Sequence, residues 1–255
     1  MRPLITALDV DALAWKSLGP AGLYSKLLSR DPDTGARTAL QRLDPGEGFE
    51  PPKVAHFHHT YEELLGVKGR FTFDCKRWIT PTSYLFHPPK TVHGFKSTVP
   101  EESWFLSRVG RDLDVNLVPE PTGTDIYPID GVVPQRPAAA FADPIAEKGL
   151  KNYACGKERQ AFGICEVSVD PKTGEGTAFV RLPANWIASL DTPLTQSYLE
   201  VFVLDGDVTI DDEFYGCRYY GFYPAGRAPT SFRSQSGATI YVNFGAPLAV
   251  EPVAN

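Results

Sequence analysis

The stretch HFHHTYEELLGVKG, residues 56–69, decides the fold of this 255-residue chain. Side chains alternate between the two faces of a strand, so His56, His58 and Glu62 are expected to share one face. All five histidines of the chain lie between His56 and His93. His93 is predicted to reach the same face after a turn at Gly69 and a return strand. Imidazole and carboxylate donors without cysteine suit iron, manganese, nickel, copper or zinc, so the sequence predicts one divalent transition metal held by His56, His58, Glu62 and His93.

The neighbouring polar residues leave alternatives open. Glu63 also fits a looser spacing, but Glu62 is favoured because it has the same parity as the two histidines before it. His59 is predicted to face out of the barrel, and His87 to lie at the surface or beside the site without ligating. A chance cluster of histidines in a polar loop is the alternative to a metal site.

The spacing of these residues matches a known pattern. His-x-His-x(3)-Glu-x(6)-Gly, starting at His56, and Pro-x(4)-His, ending at His93, resemble the two motifs of the cupin superfamily. Two features depart from that pattern: the glycine usual before the first motif is displaced to Gly48, and Lys90 stands where the second motif often has glycine. Neither departure removes a ligand. The resemblance implies the cupin barrel, a jelly roll also called the double-stranded β-helix.

A second copy of the domain follows the first. The segment DPDTGARTALQRL at residues 31–43 recurs as DPKTGEGTAFVRL at residues 170–182. Each copy predicts a hairpin whose Asp-Pro-x-Thr-Gly turn uses proline to preset φ and glycine to adopt positive φ. The chain therefore resembles a bicupin, an all-β protein with two tandem cupin barrels. The N-terminal barrel and an N-terminal arm are predicted at 1–125, and the C-terminal barrel at 126–255. A proline-rich linker is expected at about 118–149, with a short helix around Ala138 to Ala142.

The C-terminal copy is predicted to be degenerate, without metal ligands. Alignment of the two copies puts Pro193, Thr195, Leu199 and Pro229 at the four ligand positions, and no histidine follows His93. A structural or pocket-completing role is therefore favoured for this barrel. The alternative is an organic ligand bound by polar residues of this half, namely Tyr198, Glu200, Arg227 and Arg233.

Composition favours a cytoplasmic protein. The net charge is −6 with a pI near 5.4, and the basic residues form no dense run, which argues against nucleic acid and anionic membranes as partners. The four cysteines lack a Cys-x-x-Cys spacing, so free thiols in a reducing compartment are expected. No stretch is long enough to span a bilayer. A homodimer formed through the N-terminal arm is a further expectation.

The donor set narrows the chemistry. Three neutral imidazoles and at most one carboxylate leave a divalent ion with net positive charge and open positions. This favours small molecules that chelate through two oxygens, with vicinal or β-placed carbonyl and hydroxyl groups, and Fe(II) would make such a chelate reactive toward O₂. The expected pocket surrounds the motif and comprises Thr60, Leu64, Phe71, Phe73 and Phe95, although core packing also explains at least two of the phenylalanines.

Among cupins, the sequence is most similar to a group that includes acetylacetone-cleaving dioxygenase and the cupin module of zinc-binding anti-sigma factors. The first resemblance implies a non-haem Fe(II) dioxygenase that cleaves a carbon–carbon bond in a β-dicarbonyl or hydroxyketone. Its partners would be O₂ and the small-molecule substrate, and Glu62 would be the fourth ligand or a catalytic base. Zn(II), Ni(II) and Mn(II) are alternatives to Fe(II).

Two other functions stay open. The resemblance to anti-sigma factors implies a zinc-binding sensor, but such modules accompany a helical domain that grips the partner. No amphipathic helical domain is apparent here, so the enzyme is favoured. A third hypothesis is a metal-dependent isomerase or lyase, in which Glu63, Tyr84 or Lys90 would carry a proton.

Overall fold

The computed structural model describes residues 1–121 and 129–253. The chain divides into two compact units, Ala14–Pro144 and a second unit that combines Met1–Leu13 with Ile145–Asn255. The predicted boundary between residues 125 and 126 lies outside the described residues. The expected N-terminal arm, residues 1 to about 25, is divided between the units after Leu13. Met1–Leu13 groups with the C-terminal half because its strand β1 (Ile5–Asp9) pairs with a strand of that half.

Antiparallel strands build the N-terminal unit. They are β2 (Lys16–Ser17), β3 (Leu23–Arg30), β4 (Arg37–Leu43), β5 (His56–Phe57), β6 (Glu62–Lys68), β7 (Phe71–Thr72), β8 (Trp78–Ile79), β9 (Tyr84–His87), β10 (Ser103–Val109), β11 (Asn116–Leu117) and β12 (Ala139–Phe141). A 3-10 helix covers Pro45–Glu47. Seven strands form one sheet in the order β12-β9-β6-β10-β4-β3-β2, and two short pairs, β5 with β11 and β7 with β8, complete the unit.

Strand β6 carries the decisive stretch, and its inward face packs into the barrel core. Leu64 is fully buried in a cluster with Phe71, Leu85 and Phe105. Burying a leucine side chain of this kind contributes about 2 kcal/mol through the hydrophobic effect. This core holds β6 in a single register, because a slip by one residue would turn its apolar side chains away from the interior.

The other face of β6 carries Glu63, as its parity predicts, but this carboxylate is fully buried rather than at a surface. Its Oε1 accepts hydrogen bonds from the Tyr84 hydroxyl at 2.5 Å and from Arg136 Nη2 at 2.9 Å. Its Oε2 accepts from Arg108 Nη1 at 3.1 Å. A buried charge needs such partners, since an unpaired carboxylate in a dry interior is very costly.

The helix expected around Ala138 to Ala142 is wrong, because these residues form strand β12. Ala140 pairs with Leu85 in β9, so the edge of the sheet supplies hydrogen bonds that outweigh the helix preference of alanine. Among the described residues, α1 (Pro144–Lys148) is the single α-helix. No helix in this part of the chain has the length and apolar character that crossing a membrane requires.

The C-terminal unit repeats the antiparallel architecture. Its strands are β13 (Lys151–Ala154), β14 (Ala161–Val169), β15 (Gly176–Leu182), β16 (Trp186–Ser189), β17 (Leu199–Gly206), β18 (Val208–Ile210), β19 (Glu213–Tyr215), β20 (Tyr219–Tyr223), β21 (Ser231–Ser234), β22 (Ala238–Phe244) and β23 (Glu251–Pro252). One sheet has the order β1-β20-β17-β22-β15-β14-β13-β23, and a four-stranded sheet has the order β16-β21-β18-β19.

The predicted duplication is visible in the hairpin turns. In the first turn the Asp31 carboxylate accepts the backbone N–H of Asp33 at 2.9 Å, and Gly35 has φ +75°. In the second, Asp170 accepts the N–H of Lys172 at 2.8 Å, and Gly174 has φ +70°. Each hairpin also has a register shift at the repeated Thr-Ala step, between the two residues that pair with this threonine and this alanine. The prediction of an all-β chain with two tandem cupin barrels is confirmed.

Candidate metal centre

Three imidazoles converge in the N-terminal barrel. His56 opens β5 and forms a bridge with His93, in which each backbone N–H donates to the other carbonyl at 3.0 and 2.9 Å. His58 lies two residues further on, so its side chain returns to the same side as His56. Ring centroids are 4.5 Å apart for His56 and His93, and His58 lies 5.1 Å from each of them. One donor atom from each ring lies within 4.8 Å of the other two.

All three rings are oriented through Nδ1 by backbone carbonyls. Nδ1 of His56 lies 3.0 Å from the oxygen of Val54, Nδ1 of His93 lies 3.1 Å from that of Thr91, and Nδ1 of His58 contacts that of Asp114. A carbonyl can only accept, so each Nδ1 carries the proton and donates it. Each Nε2 therefore keeps its lone pair, which is the tautomer that metal ligation through Nε2 requires.

Glu62 brings a carboxylate to the same place. It is the first residue of β6, and its Oε2 lies 3.3 Å from Nε2 of His93. Burial alone would raise the pKa of Glu62. In the metal-free protein, however, a His93 ring that is protonated at Nε2 donates to this carboxylate, and this hydrogen bond and charge lower the pKa of Glu62 to about 2. The carboxylate is thus ionised at neutral pH. Imidazoles with one ionised carboxylate fit a divalent transition metal.

Of the two positions expected for His87, at the surface or beside the site, the structure shows the second. It is 5% exposed, and its ring centroid is 4.7 Å from that of His93. Donor atoms of Glu62, His87 and His93 lie within 4.8 Å of one another, so this group overlaps the first one at His93. Burial, followed by the charge of His93, lowers the pKa of His87 to about 3. The register of β9 decides between the two positions, because His87 stands directly opposite Glu62.

His59 faces outward, as alternation predicts. Its side chain is 43% exposed, and its Nδ1 lies 2.5 Å from Oδ2 of Asp114. The hydrogen bond from His59 keeps the pKa of Asp114 below its usual range. The same Asp114 accepts the His58 Nδ1–H through its backbone carbonyl, so this loop residue orients a ring of the site while its side chain binds His59 outside.

The expected pocket residues separate into different environments. Phe73 lies nearest the histidines, with its ring centroid 6.1 Å from that of His93. Leu64 and Phe71 belong to the barrel core, and Phe95 packs in a small cluster with Ala55 and Val92. Thr60 is buried, with its hydroxyl oxygen beside Gly110. Core packing therefore accounts for Leu64 and Phe71, while Phe73 contributes an apolar side to the site.

Position 94 has room for glycine alone, because the His56 ring packs against its Cα. The residue has φ +81°, and an added Cβ would meet Cε1 of His56 at 2.4 Å. Gly94→Ala should therefore push the His56 ring out of place and weaken metal binding by about 10–100-fold, the range seen when groups that orient metal ligands are disturbed. Metal titration of the purified variant measures this. Gly131→Ala, with φ +70° and open space around its Cβ, is the matched control for backbone strain. Equal affinity in the Gly94 variant and wild type would contradict the steric argument.

The metal-free protein is expected to lose stability as the pH falls from about 6.5 to 3. The folded pKa of His87 is depressed to about 3, so over this range the unfolded chain binds a proton that the folded chain does not. Protonation of this group alone should cost the folded state roughly 4–5 kcal/mol over this range. Chemical unfolding in a chelator at several pH values tests this, and His87→Phe should flatten the slope. A slope that is unchanged in His87→Phe would show that other groups dominate.

Leucine and threonine stand in the second barrel at two positions where the first barrel has metal donors. Leu199 stands opposite Tyr223 in β17 and β20, the register position that Glu62 and His87 occupy in β6 and β9. Leu199 lines an apolar cavity of about 50 Å³ together with Trp186 and Phe232. The Thr195 hydroxyl is buried and donates to the Ala246 carbonyl at 3.0 Å.

Three of the four polar residues considered for an organic ligand make other contacts in this half. Glu200 is buried and accepts hydrogen bonds from Arg2 Nη1 and, at 2.7 Å, from the Tyr220 hydroxyl. Tyr198 donates to Glu175 at 2.7 Å, and Arg233 pairs with Asp212 at the surface. These three side chains are thus engaged by protein partners, and the cavity beside Leu199 is lined by apolar residues.

Comparison with known proteins supports the cupin fold. Residues 5–110 match the sequence profile of the ChrR Cupin-like domain. No curated protein matches the chain. The profile covers less than half of the chain, but it contains both histidine motifs, from His56 to His93.

Solved structures extend the similarity to both barrels. A proposed dioxygenase from Nostoc punctiforme is 16% identical with a TM-score of 0.71, and the match covers 100% of this chain and 87% of that one. A deletion mutant of Bacillus subtilis oxalate decarboxylase is 12% identical with a TM-score of 0.58, covering 98% of this chain and 79% of that one. That decarboxylase has Mn(II) centres. At these identities the similarity shows the fold alone.

Proposed function

We propose that the N-terminal barrel is a metal-dependent dioxygenase, which uses Fe(II) to cleave a carbon–carbon bond in a β-dicarbonyl or hydroxyketone-type small molecule. His56, His58 and His93 would hold the metal, and Glu62 would be the fourth donor or a base beside it. One O₂ would be consumed per substrate molecule. With a β-dicarbonyl substrate, both oxygen atoms enter the products, a carboxylic acid and a 1,2-dicarbonyl compound.

The observation that carries this proposal is the common orientation of the three rings. Each Nδ1–H donates to a backbone carbonyl, which leaves three Nε2 lone pairs directed toward shared space. A chance cluster of histidines has no reason to fix the same tautomer three times. An ion held by three neutral imidazoles keeps positive charge for anionic oxygen ligands.

The remaining residues would position the substrate and exclude water. Bound Fe(II) would supply Lewis acidity toward two substrate oxygens and redox chemistry toward O₂. Phe73 offers an apolar side next to His93, which suits the carbon skeleton of a small dicarbonyl. The Glu62 carboxylate lies 3.3 Å from Nε2 of His93 and would accept the carbon-bound proton that such substrates lose easily.

A zinc-binding regulatory module is the second candidate. It is supported by the match of residues 5–110 to the ChrR Cupin-like domain, which covers the histidine motifs. The isomerase or lyase hypothesis has weaker support. Two of the proton carriers suggested for it, Glu63 and Tyr84, form a hydrogen bond with each other on the face of β6 opposite Glu62. The third, Lys90, pairs with Asp130 at 2.7 Å.

Elemental analysis and O₂ uptake distinguish these functions. Wild type and His58→Ala are purified without chelators or added metals, and a panel of β-dicarbonyl compounds is then tested with an oxygen electrode. About one equivalent of iron that is reduced in the variant, with O₂ consumption, supports the dioxygenase. Zinc without O₂ consumption supports the regulatory module or a Lewis-acid enzyme. A wild-type protein that contains no metal and binds none would contradict both.

A further inference from the structure

His87 lies inside the first barrel because of strand pairing. In the antiparallel register of β6 and β9, Glu62 stands opposite His87 and Leu64 stands opposite Leu85. Directly opposed residues in a sheet point to the same face. Since Leu64 is in the barrel core, the His87 imidazole must lie on the inward face with Glu62.

The His87 ring is packed against the proposed metal ligands. Its plane makes an angle of 35° with that of His93, at a centroid distance of 4.7 Å. Donor atoms of Glu62, His87 and His93 lie within 4.8 Å of one another, as do those of His56, His58 and His93. Two groups of three donors thus share His93.

One nitrogen of His87 lacks a partner. Nδ1 is buried and forms no hydrogen bond with the residues that the structure describes, whereas Nδ1 of His56, His58 and His93 each donates to a carbonyl. Leaving a buried polar atom unsatisfied costs about 1–3 kcal/mol. The residue at the matching register position of the second barrel, Tyr223, has its hydroxyl 2.6 Å from that of Tyr215. His87 is therefore the inward polar residue whose partner has to come from outside the chain.

We propose that Glu62, His87 and His93 form a second metal position, which shares His93 with the three-histidine position and shares Glu62 as well when this carboxylate is the fourth donor there. The inference rests on the metal centre described under the proposed function. Because both positions use the single lone pair of His93 Nε2, they hold one ion in turn and not two ions together. The ion can move from the three-histidine position toward the carboxylate side of the barrel without leaving the protein.

The test uses Co(II), whose absorption bands report its coordination, as a probe for the divalent ion. Metal-free wild type, His58→Ala, His58→Ala with His87→Phe, and His58→Ala with His59→Ala are titrated with Co(II). The first substitution disables the three-histidine group, and phenylalanine keeps the ring volume of His87 without its donors. The His59 substitution is the matched control, because that ring is 43% exposed and faces outward.

We expect His58→Ala to bind one equivalent of Co(II) more weakly than wild type. Adding His87→Phe should weaken this binding by a further 10–100-fold or so, while adding His59→Ala should change nothing. Equal binding in His58→Ala with and without His87→Phe would overturn the second position, as would a complete loss of Co(II) in His58→Ala alone. Either result would leave the first metal centre intact if wild type binds Co(II), whereas no binding in wild type would refute the proposed function itself. Far-UV circular dichroism confirms folding, and His87→Leu replaces the phenylalanine variant if that variant does not fold.

Discussion

Replacing His93 with alanine is expected to lower metal affinity by more than about 100-fold, the largest effect of any single substitution in the barrel. His93 is the one residue that belongs to both donor groups, and its Nε2 also lies 3.3 Å from the Glu62 carboxylate. Residues that merely orient metal ligands already cost 10–100-fold or so when removed. Loss of a shared ligand should therefore exceed that range. The measurement is metal content after purification, followed by titration with Fe(II) and Zn(II).

The same variant should also lose the stabilisation that metal provides. A ligand that binds the folded chain alone raises the melting temperature, so wild type should melt higher with added metal and His93→Ala should not. His59→Ala is the matched control, since it removes an outward-facing imidazole that is the immediate neighbour of His58. If His93→Ala retained wild-type affinity, neither donor group could be the metal site.

Glu63→Gln is expected to destabilise the fold by about 3–5 kcal/mol, because it removes the negative charge from a buried network. The carboxylate is fully buried, and the guanidinium groups of Arg108 and Arg136 lie 3.1 and 2.9 Å from its oxygens. Glutamine has nearly the same shape but leaves the positive charges without their counter-charge. Unfolding by urea at neutral pH in a chelator measures the change without a contribution from metal.

The control for this prediction is Glu101→Gln at the surface. Glu101 pairs with Arg70 at 3.7 Å, and both side chains are more than half exposed, so its loss should cost no more than about 1 kcal/mol. Similar losses in the two variants would mean that burial does not govern the strength of the Glu63 network. A Glu63→Gln protein that folds should still bind metal, because Glu63 lies on the opposite face of β6 from the proposed ligands.

Strand parity predicts much of the candidate site. It places His56, His58 and Glu62 on one face and turns His59 outward, because these residues lie in or next to strands where alternation applies. It also separates Glu62 from Glu63 correctly by face. That these residues bind a metal stays a prediction, which the substitutions above test.

Other features depend on tertiary pairing that one sequence does not contain. The position of His87 follows from the register of β9 against β6, and that register depends on the turns between residues 69 and 84. The strand at Ala139–Phe141 forms because the edge of β9 is available, which outweighs its alanine-rich composition. The grouping of Met1–Leu13 with the C-terminal half follows from the pairing of β1 with β20, a contact across more than 200 residues that local patterns cannot indicate.

The buried carboxylate is present in both barrels, although the metal donors are present in one. Glu63 with Tyr84 and Glu200 with Tyr220 occupy matching places, at 2.5 and 2.7 Å between hydroxyl and carboxylate. Glu200 can therefore serve as an internal reference for Glu63. Replacing Glu200 measures how much folding stability the buried carboxylate contributes in a barrel without metal donors. The difference from the stability lost on replacing Glu63 is then specific to the histidine-bearing barrel.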